Sequence, residues 1–224
     1  MSKYRPLSVI EIETGPEPAH TIIWMHGLGA DGNDFVPIIN EFEISLKKPI
    51  RFIFPHACER PVTINGGYVM RAWYDIYGIS SGSPEDETGI RDSQKAIDAL
   101  IENELQRGII STHIILAGFS QGGAMALQAG LRQGNKLGGI MALSCYLPLP
   151  ESLDHEAQPV NAAIPIFMAH GVYDAVVPIA LAAASKEKLM QAHYTMEWHE
   201  YAMEHSVCAE EINDIDLWLQ RILK

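Results

Sequence analysis

Short apolar runs alternate with longer, helix-favouring segments along this chain, and that alternation restricts its fold more than any other feature. Five almost continuous apolar runs are typical of strands buried on both faces of a parallel sheet: TIIWMH (21–26), IRFIFP (50–55), THIILA (112–117), GGIMALS (138–144) and PIFMAH (165–170). Two runs with mixed faces, 7–13 and 194–201, predict flanking strands. The sequence therefore predicts an α/β fold with a mostly parallel central sheet of about seven strands.

Helical patterns fill the spaces between these runs, which places helices on both faces of the sheet. The segment 121–132 precedes Gly134, residues 179–191 are rich in alanine, and the closing stretch 207–222 has one apolar face. A further set of apolar residues recurs at helical spacing before Gly108, a helix stop: Ile90, Ile97, Leu100, Ile101 and Leu105.

Residues 57–88 break the alternation and show no sustained period. An irregular stretch of that length is uncommon in a compact domain and is usually functional or disordered. Its aromatic residues argue against disorder throughout. We expect a folded lid or pocket wall instead of a plain surface loop, with 80–88 as its mobile part. Because no repeat or linker is present elsewhere, we expect one domain over residues 1–224.

Composition restricts the partners and the compartment. Sixteen basic and 28 acidic residues give a formal charge of −12, which repels nucleic acid and anionic membrane surfaces. Three scattered cysteines without a C-x-x-C pair favour a reducing compartment. The first residues do not resemble a secretory signal, and no window approaches the roughly 18 apolar residues of a membrane span. We expect a cytoplasmic protein that does not insert stably into membranes.

The stretch LAGFSQGGAM (116–125) surrounds Ser120 with small residues. Residues 118–122 match G-x-S-x-G, follow a predicted strand and open a predicted helix, which is the setting of a nucleophile elbow. Strand and helix approach so closely there that glycine fits at Gly118 and Gly122, while the serine backbone is strained. The motif predicts Ser120 as a nucleophile; a buried structural serine is the alternative.

A serine hydroxyl needs an adjacent base to become a nucleophile, and on this type of fold the base and its acid follow the serine along the chain. Of the five downstream histidines, His205 lies in the loop after the last predicted strand, at the carboxyl edge where sites gather. We predict His205 as the base. The others are interpreted as solvated, as a core or supporting group, or as structural: His155, His170, His193 and His199.

Asp174 follows the predicted strand 165–170 at its carboxyl end and is the predicted acid. Asp154 is the competing candidate, but it precedes that strand. Asp214 and Asp216 belong to the closing helix, where we expect them on its solvated face.

The oxyanion formed during acyl transfer needs N–H donors that are already in place. One donor is expected from the residue after the nucleophile, Gln121, and the other from a loop after an early strand. His26-Gly27-Leu28-Gly29 is such a loop, and the Leu28 N–H is the candidate. A phosphate site is the alternative for this loop, but neither of the two glycine-rich phosphate motifs is present. Histidines and cysteines do not occur at metal-ligand spacings, so no metal is expected.

Several motifs in order make the chain resemble the carboxylesterase/acyl-protein thioesterase family of α/β-hydrolases: HGLGADGNDF, FPHACERPVTINGGYVMRAWYDI, GFSQGGAMAL, LSCYLP, HGVYDAVVP and MEHSV followed by WL. The resemblance implies an α/β-hydrolase fold and a Ser/Asp/His hydrolase of carboxylic ester or thioester acyl groups. It implies no cofactor and a small acyl ester or thioester as substrate.

The same resemblance implies that the segment matching 57–80 helps to wall the acyl pocket, with Met70 and Trp73 as lining residues. Family members act on soluble esters, lysophospholipids or acylated proteins, so an acyl-protein thioesterase or lysophospholipase stays an alternative. The motifs are also compatible with a serine peptidase, another hydrolase subtype or a non-catalytic binder on the same fold. A homodimer is compatible with the apolar content.

Overall fold

The computed structural model describes residues 6–80 and 82–223. It contains nine strands: β1 Val9–Glu13, β2 His20–Met25, β3 Ile50–Pro55, β4 Glu59–Val62, β5 Tyr68–Arg71, β6 Ile114–Phe119, β7 Gly139–Leu143, β8 Ile166–Gly171 and β9 Glu197–Tyr201. Seven of them form one sheet in the order β1-β3-β2-β6-β7-β8-β9. Only the β1–β3 pair is antiparallel within that sheet. The predicted mostly parallel sheet of about seven strands is confirmed.

The described residues form six α-helices: α1 Ile44–Lys47, α2 Glu87–Gln106, α3 Gln121–Arg132, α4 Leu153–Glu156, α5 Ile179–Gln191 and α6 Ala209–Ile222. The four predicted helices correspond to α2, α3, α5 and α6, although α6 begins two residues later than expected. Helix α2 begins after Asp86, whose carboxylate accepts the Gly89 N–H at 2.9 Å. This contact satisfies one of the free amides of the first turn.

Helices cover both faces of the sheet, which explains why the inner strands have no polar face. Successive residues of β2 enter opposite cores: Ile23 packs with Ile97 of α2, whereas Trp24 packs in the core that contains Trp218 of α6. Each of these side chains is almost completely buried. The continuous apolar runs of the sequence therefore follow from a sheet that is shielded from water on both sides.

The stretch 57–88 contains a β-hairpin that the sequence analysis did not predict. Strands β4 and β5 pair antiparallel, and the chain reverses through Gly66 and Gly67, whose φ angles are 68° and 80°. The Asn-Gly-Gly turn at 65–67 was the signal for it, but the flanking strands have only four residues each and Pro61 interrupts one of them. Beyond the hairpin, an isolated bridge joins Ile76 to Glu85.

Of the residues expected to be mobile, 80–88, position 81 lies outside the described residues, and 87–88 already belong to α2. The role of 57–88 as a lid or pocket wall stays a prediction.

No helix within residues 6–80 and 82–223 is both long and apolar enough to cross a bilayer.

An ion cluster centred on Glu156 joins three helices. Its carboxylate accepts hydrogen bonds from Arg91 of α2 at 2.6 Å, from Arg132 of α3 at 2.7 Å and from the Ser152 hydroxyl at 2.7 Å. Burial opposes ionisation of Glu156, but these hydrogen bonds outweigh it and lower the pKa of the carboxyl from 4.5 to about 2. The ionised Glu156 therefore stabilises the folded chain.

We expect Glu156→Gln to lower the free energy of unfolding by about 2 kcal/mol at neutral pH, because hydrogen bonds to a charged group are lost. A carboxyl with a lowered pKa stabilises the fold above its ordinary pKa and loses that effect as the pH falls through the folded value. The difference between variant and wild type should therefore shrink between pH 4.5 and about pH 2. Urea titrations across this range test it, with the exposed Glu151→Gln as control. A difference that is independent of pH would contradict the prediction.

Candidate active site

Ser120 stands at the turn between β6 and α3 in a backbone conformation that side chains rarely adopt. Its φ is 55° and its ψ is −122°. The Ser120 N–H donates to the Leu143 carbonyl at the end of β7 at 2.8 Å, and the Ser120 carbonyl accepts from Ala124 in the first turn of α3. Such strain persists only where the surrounding structure holds it, and it is typical of functional positions.

The two glycines of the motif are required by close approach of the backbone. A Cβ atom on Gly118 would overlap the backbone of Gly122, and a Cβ atom on Gly122 would overlap the carbonyl of Met25 at the end of β2. Helix α3 therefore begins in direct contact with both strands. This contact presents Ser120 at the carboxyl edge of the sheet.

Ser120, His205 and Asp174 form one hydrogen-bonded chain. The distance from Ser120 Oγ to His205 Nε2 is 2.9 Å, and the distance from His205 Nδ1 to Asp174 Oδ2 is 2.6 Å. A carboxylate only accepts hydrogen bonds, so Nδ1–H is the donor to Asp174 and Nε2 is free to accept from the serine hydroxyl. The three residues follow the carboxyl ends of β6, β8 and β9, the positions that the sequence analysis assigned to them.

Asp174 is held in place by its own loop. Its Oδ1 atom accepts the backbone N–H groups of Val176 and Val177 at 2.9 and 2.8 Å, which leaves Oδ2 for His205. His170, at the end of β8, lies beside it, with 3.4 Å between His170 Nε2 and Asp174 Oδ2. Burial lowers the pKa of His170, so the neutral ring donates Nε2–H to the Val177 carbonyl at 2.8 Å. The expected supporting position of His170 agrees with this contact.

The competing candidates lie elsewhere. Asp154 forms an ion pair with Lys188, with 2.9 Å between the charged atoms, and His155 is an exposed residue of α4. His193 lies in the turn after α5, not in the last strand. His199 lies in that strand, with 3.5 Å between His199 Nδ1 and Asp214 Oδ2.

The expectation of a solvated face was wrong for Asp216, which is buried, whereas Asp214 is partly exposed. Asp214 accepts the Tyr201 hydroxyl at 2.8 Å, and Asp216 is buried and accepts the Ile44 N–H at the start of α1. Both carboxylates anchor α6 to neighbouring elements, a role that becomes visible only when those elements are in place.

The loop after β2, which contains Leu28, lies against the elbow that Gln121 follows. Gly27 lies against Ser120, since a Cβ atom there would be 3.4 Å from the serine Cβ. Within residues 6–80 and 82–223, neither the Leu28 nor the Gln121 N–H donates to a protein acceptor. Two free amides near a strained serine are what an oxyanion hole requires.

The His26 side chain fixes the conformation of this loop by two hydrogen bonds. Its Nε2 accepts the Ala57 N–H at 3.0 Å, so Nδ1–H is the donor to the Gly27 carbonyl at 2.7 Å. Burial lowers the pKa of His26, which favours this neutral form. The Trp73 indole N–H donates to the His26 carbonyl at 2.9 Å.

The pocket residues expected from the sequence have different surroundings. Met70 reaches the glycine-rich loop, with its sulfur 3.5 Å from the position of a Cβ atom on Gly29. Trp73 is 1 % exposed and its indole N–H donates to the His26 carbonyl, and it is not among the described residues that line the cavity bounded by Tyr74 and Tyr146.

Sequence reasoning missed the side chain of Gln121. Its Oε1 accepts the Trp73 N–H at 2.8 Å, and its Nε2 donates to the Tyr74 carbonyl at 2.7 Å. The side chain therefore fastens the segment 73–74 to the elbow, while the backbone N–H stays free. The G-x-S-x-G pattern leaves this position open, so the motif carried no signal for it.

We expect Gly122→Ala to lower the free energy of unfolding by about 3 kcal/mol or to prevent folding, because the new methyl group meets a backbone carbonyl that has no room to move. Gly134→Ala is the matched control, since a Cβ atom there meets nothing within 4 Å. Urea denaturation of both variants tests this. Equal stability of the two would show that the contact between α3 and β2 is not tight.

Comparisons with known proteins agree with this geometry. The family model described as Phospholipase/Carboxylesterase matches residues 7–223. Acyl-protein thioesterase 1 of Gibberella zeae is 36% identical over 91% of this chain and 90% of its own. The crystal structure of Arabidopsis thaliana SOBER1 has a TM-score of 0.87 and 33% identity over 92% of this chain and 99% of that one.

The crystal structure of Zea mays acyl-protein thioesterase 2 has a TM-score of 0.84 at 27% identity, over 96% of this chain and 99% of that one. A family model that covers nearly the whole chain, structures that superpose over nearly the whole fold and the serine at the elbow all lead to the same assignment. The chain belongs to the phospholipase/carboxylesterase family and is a serine hydrolase with the α/β-hydrolase fold.

Proposed function

We propose that this serine hydrolase cleaves carboxylic esters of acyl substrates through an acyl-enzyme formed on Ser120. The observation that carries the proposal is the continuous hydrogen-bonded chain from Ser120 through His205 to Asp174. It has the order and the distances that activation of a serine hydroxyl requires. A non-catalytic binder would have no need for this chain together with a strained serine.

In the first half of the reaction, Ser120 Oγ attacks the acyl carbonyl as its proton passes to His205 Nε2. The carbonyl oxygen becomes negatively charged, and the backbone N–H groups of Leu28 and Gln121 are the proposed donors to it. His205 then gives the proton to the leaving alcohol. Asp174 keeps the imidazole in the Nδ1–H form and stabilises the imidazolium.

In the second half, His205 takes a proton from water, and the hydroxide attacks the acyl-enzyme at the same carbonyl. The intermediate collapses, the acid leaves, and the proton returns to Ser120 Oγ. No step needs a metal or a cofactor in this proposal, since every proton and electron pair moves between the substrate, water and these side chains.

A candidate for the acyl pocket adjoins the segment that the Gln121 side chain holds. A cavity of about 550 Å³ is lined by residues 74–80, by Tyr146 and Leu147 after β7, and by Leu181 of α5. This volume is in the range of small-molecule sites. The carbonyl of Tyr74, which lines this cavity, accepts a hydrogen bond from the side chain of Gln121, the residue after Ser120. We propose this cavity as the acyl pocket, with 74–80 as part of its wall.

Thioesters are the second candidate substrates. The relatives in Gibberella zeae and Zea mays are named acyl-protein thioesterases, and the same nucleophile and oxyanion donors act on both ester types. Rates on matched oxygen esters and thioesters with one acyl group distinguish the two.

Charge and cysteine content support the proposed partners and the proposed cytoplasmic location. The formal charge of −12 disfavours nucleic acid and anionic membranes as partners, and three unpaired cysteines suit a cytoplasmic location. A homodimer stays a prediction, which sedimentation of the purified chain tests.

We expect Ser120→Ala to lower kcat on nitrophenyl acetate by about 10⁶-fold, because no other group attacks the carbonyl. The melting temperature should change little. Ser111→Ala is the control, since Ser111 lies at the opposite end of β6. Appreciable hydrolysis by the Ser120 variant would refute the proposed nucleophile.

We expect Asp174→Asn to lower kcat by about 10⁴-fold, because an amide in place of the carboxylate favours the wrong imidazole tautomer. The matched control is Asp154→Asn, the competing acid of the sequence analysis, which should stay close to wild type. If the Asp154 variant loses the activity and the Asp174 variant keeps it, the acid is wrongly assigned.

A further inference from the structure

Two tyrosine hydroxyls meet in the wall of the acyl cavity. The Tyr74 and Tyr146 hydroxyl oxygens are 3.0 Å apart, and both residues line the cavity. Tyr74 is 2 % exposed and Tyr146 is half-buried, and Tyr74 is the donor to Tyr146 in this hydrogen bond. Burial raises the pKa of both phenols, that of Tyr146 to about 12. Both groups are therefore neutral and carry their protons at neutral pH.

The pair leaves one proton unused. Each phenol has one proton to donate, and a bond between two hydroxyls uses only one of the two protons. Among residues 6–80 and 82–223, no other hydrogen-bond partner is found for either hydroxyl. A donor in a buried place without an acceptor is unfavourable, so an acceptor on a bound ligand would be favoured there.

Neighbouring polar groups of the wall are already engaged. The Ser185 hydroxyl donates to the Leu181 carbonyl at 2.7 Å and accepts the Leu147 N–H at 2.8 Å. The Glu85 carboxylate accepts the Leu149 N–H. The tyrosine pair therefore has a donor to offer that the Ser185 hydroxyl and the Glu85 carboxylate do not.

Both tyrosines are close to the nucleophile through the backbone. The Tyr74 carbonyl accepts from the side chain of Gln121, the residue after Ser120. Tyr146 lies three residues after Leu143, and the Leu143 carbonyl accepts the Ser120 N–H. The two segments that carry the hydroxyls are therefore both hydrogen-bonded to residues of the elbow.

We propose that the Tyr74–Tyr146 hydroxyl pair selects acyl chains that carry a neutral hydrogen-bond acceptor, such as an oxo group, over plain alkyl chains of the same length. This inference rests on the proposed function, since it concerns the acyl group bound at Ser120. The acceptor is neutral because the Glu85 carboxyl lies near both phenols and would repel a carboxylate-ended chain when ionised. Tyr146 donates to the ligand, and the more deeply buried Tyr74 donates to Tyr146.

The test compares nitrophenyl octanoate with its oxo-octanoate analogues, in which the oxo group is placed at successive carbons beyond the β position. Nitrophenyl acetate is the reference, because its two-carbon acyl group has no carbon beyond the β position that could carry an oxo group. We expect kcat/KM of the wild type to be about tenfold higher for at least one oxo ester than for octanoate. Equal values at every position, or a preference for a carboxylate-ended chain, would overturn the inference.

Removal of the hydroxyls identifies the origin of the preference. Tyr146→Phe should lose it, and Tyr74→Phe should weaken it. The double variant should lose it while leaving no unpaired phenol behind, which keeps the fold free of an orphaned donor. The readout in each variant is the ratio of kcat/KM for the oxo ester to kcat/KM for octanoate, so a general change in activity cancels, and melting curves report on folding. A preference that survives in the double variant would overturn the inference.

The same assays separate this inference from the proposed function. If acetate hydrolysis depends on Ser120 but no oxo preference exists, only the selectivity of the tyrosine pair is wrong. If Ser120→Ala hydrolyses acetate as the wild type does, the nucleophile itself is wrong.

Discussion

The contact between the start of α3 and the ends of β2 and β6 is the constraint on which the rest of the site depends. It requires hydrogen in place of a side chain at Gly118 and Gly122, because backbone atoms of Gly122 and Met25 occupy the space where Cβ atoms would stand. The tight turn forces Ser120 into its positive φ. The strain is tolerated because the strands and the helix on either side are fixed by two large apolar cores.

The same contact brings two separate donors together. Met25 ends β2, so the loop that follows it, with Leu28, begins where α3 begins. The two amides that we propose as oxyanion donors are thus placed by one backbone contact, although they are far apart in the chain. His26 then fixes the loop by binding Gly27 and Ala57 with its two ring nitrogens, so little reorganisation is needed when charge develops.

Gln121 joins the elbow to the segment that we propose as the pocket wall. Its side chain holds the backbone of Trp73 and Tyr74, and its backbone adjoins Ser120. The proposed wall is therefore bonded directly to the residue after the proposed nucleophile. The histidines near the site differ in burial. His26 and His170 are buried, and burial lowers their pKa and favours the neutral rings that hold neighbouring backbone. His205 keeps 16 % of its side chain exposed and contacts the serine.

Periodicity and local motifs, read from the sequence alone, were enough to determine the α/β class, the strands of the main sheet, the long helices and the elbow serine. The reason is that each of these depends on neighbours in the chain. The order Ser120, Asp174, His205 was also recoverable, because the carboxyl ends of parallel strands meet at one edge of the sheet.

Only the tertiary structure decided the rest. The hairpin of β4 and β5 is too short to show a period, and the burial of Asp216 depends on α1, which is distant in sequence. The side-chain bonds of Gln121, the brace of Trp73 and the meeting of Tyr74 with Tyr146 join residues that are about 50 to 70 positions apart. Local sequence carries no signal for such contacts, since they arise from the packing of segments that the chain brings together only when it folds.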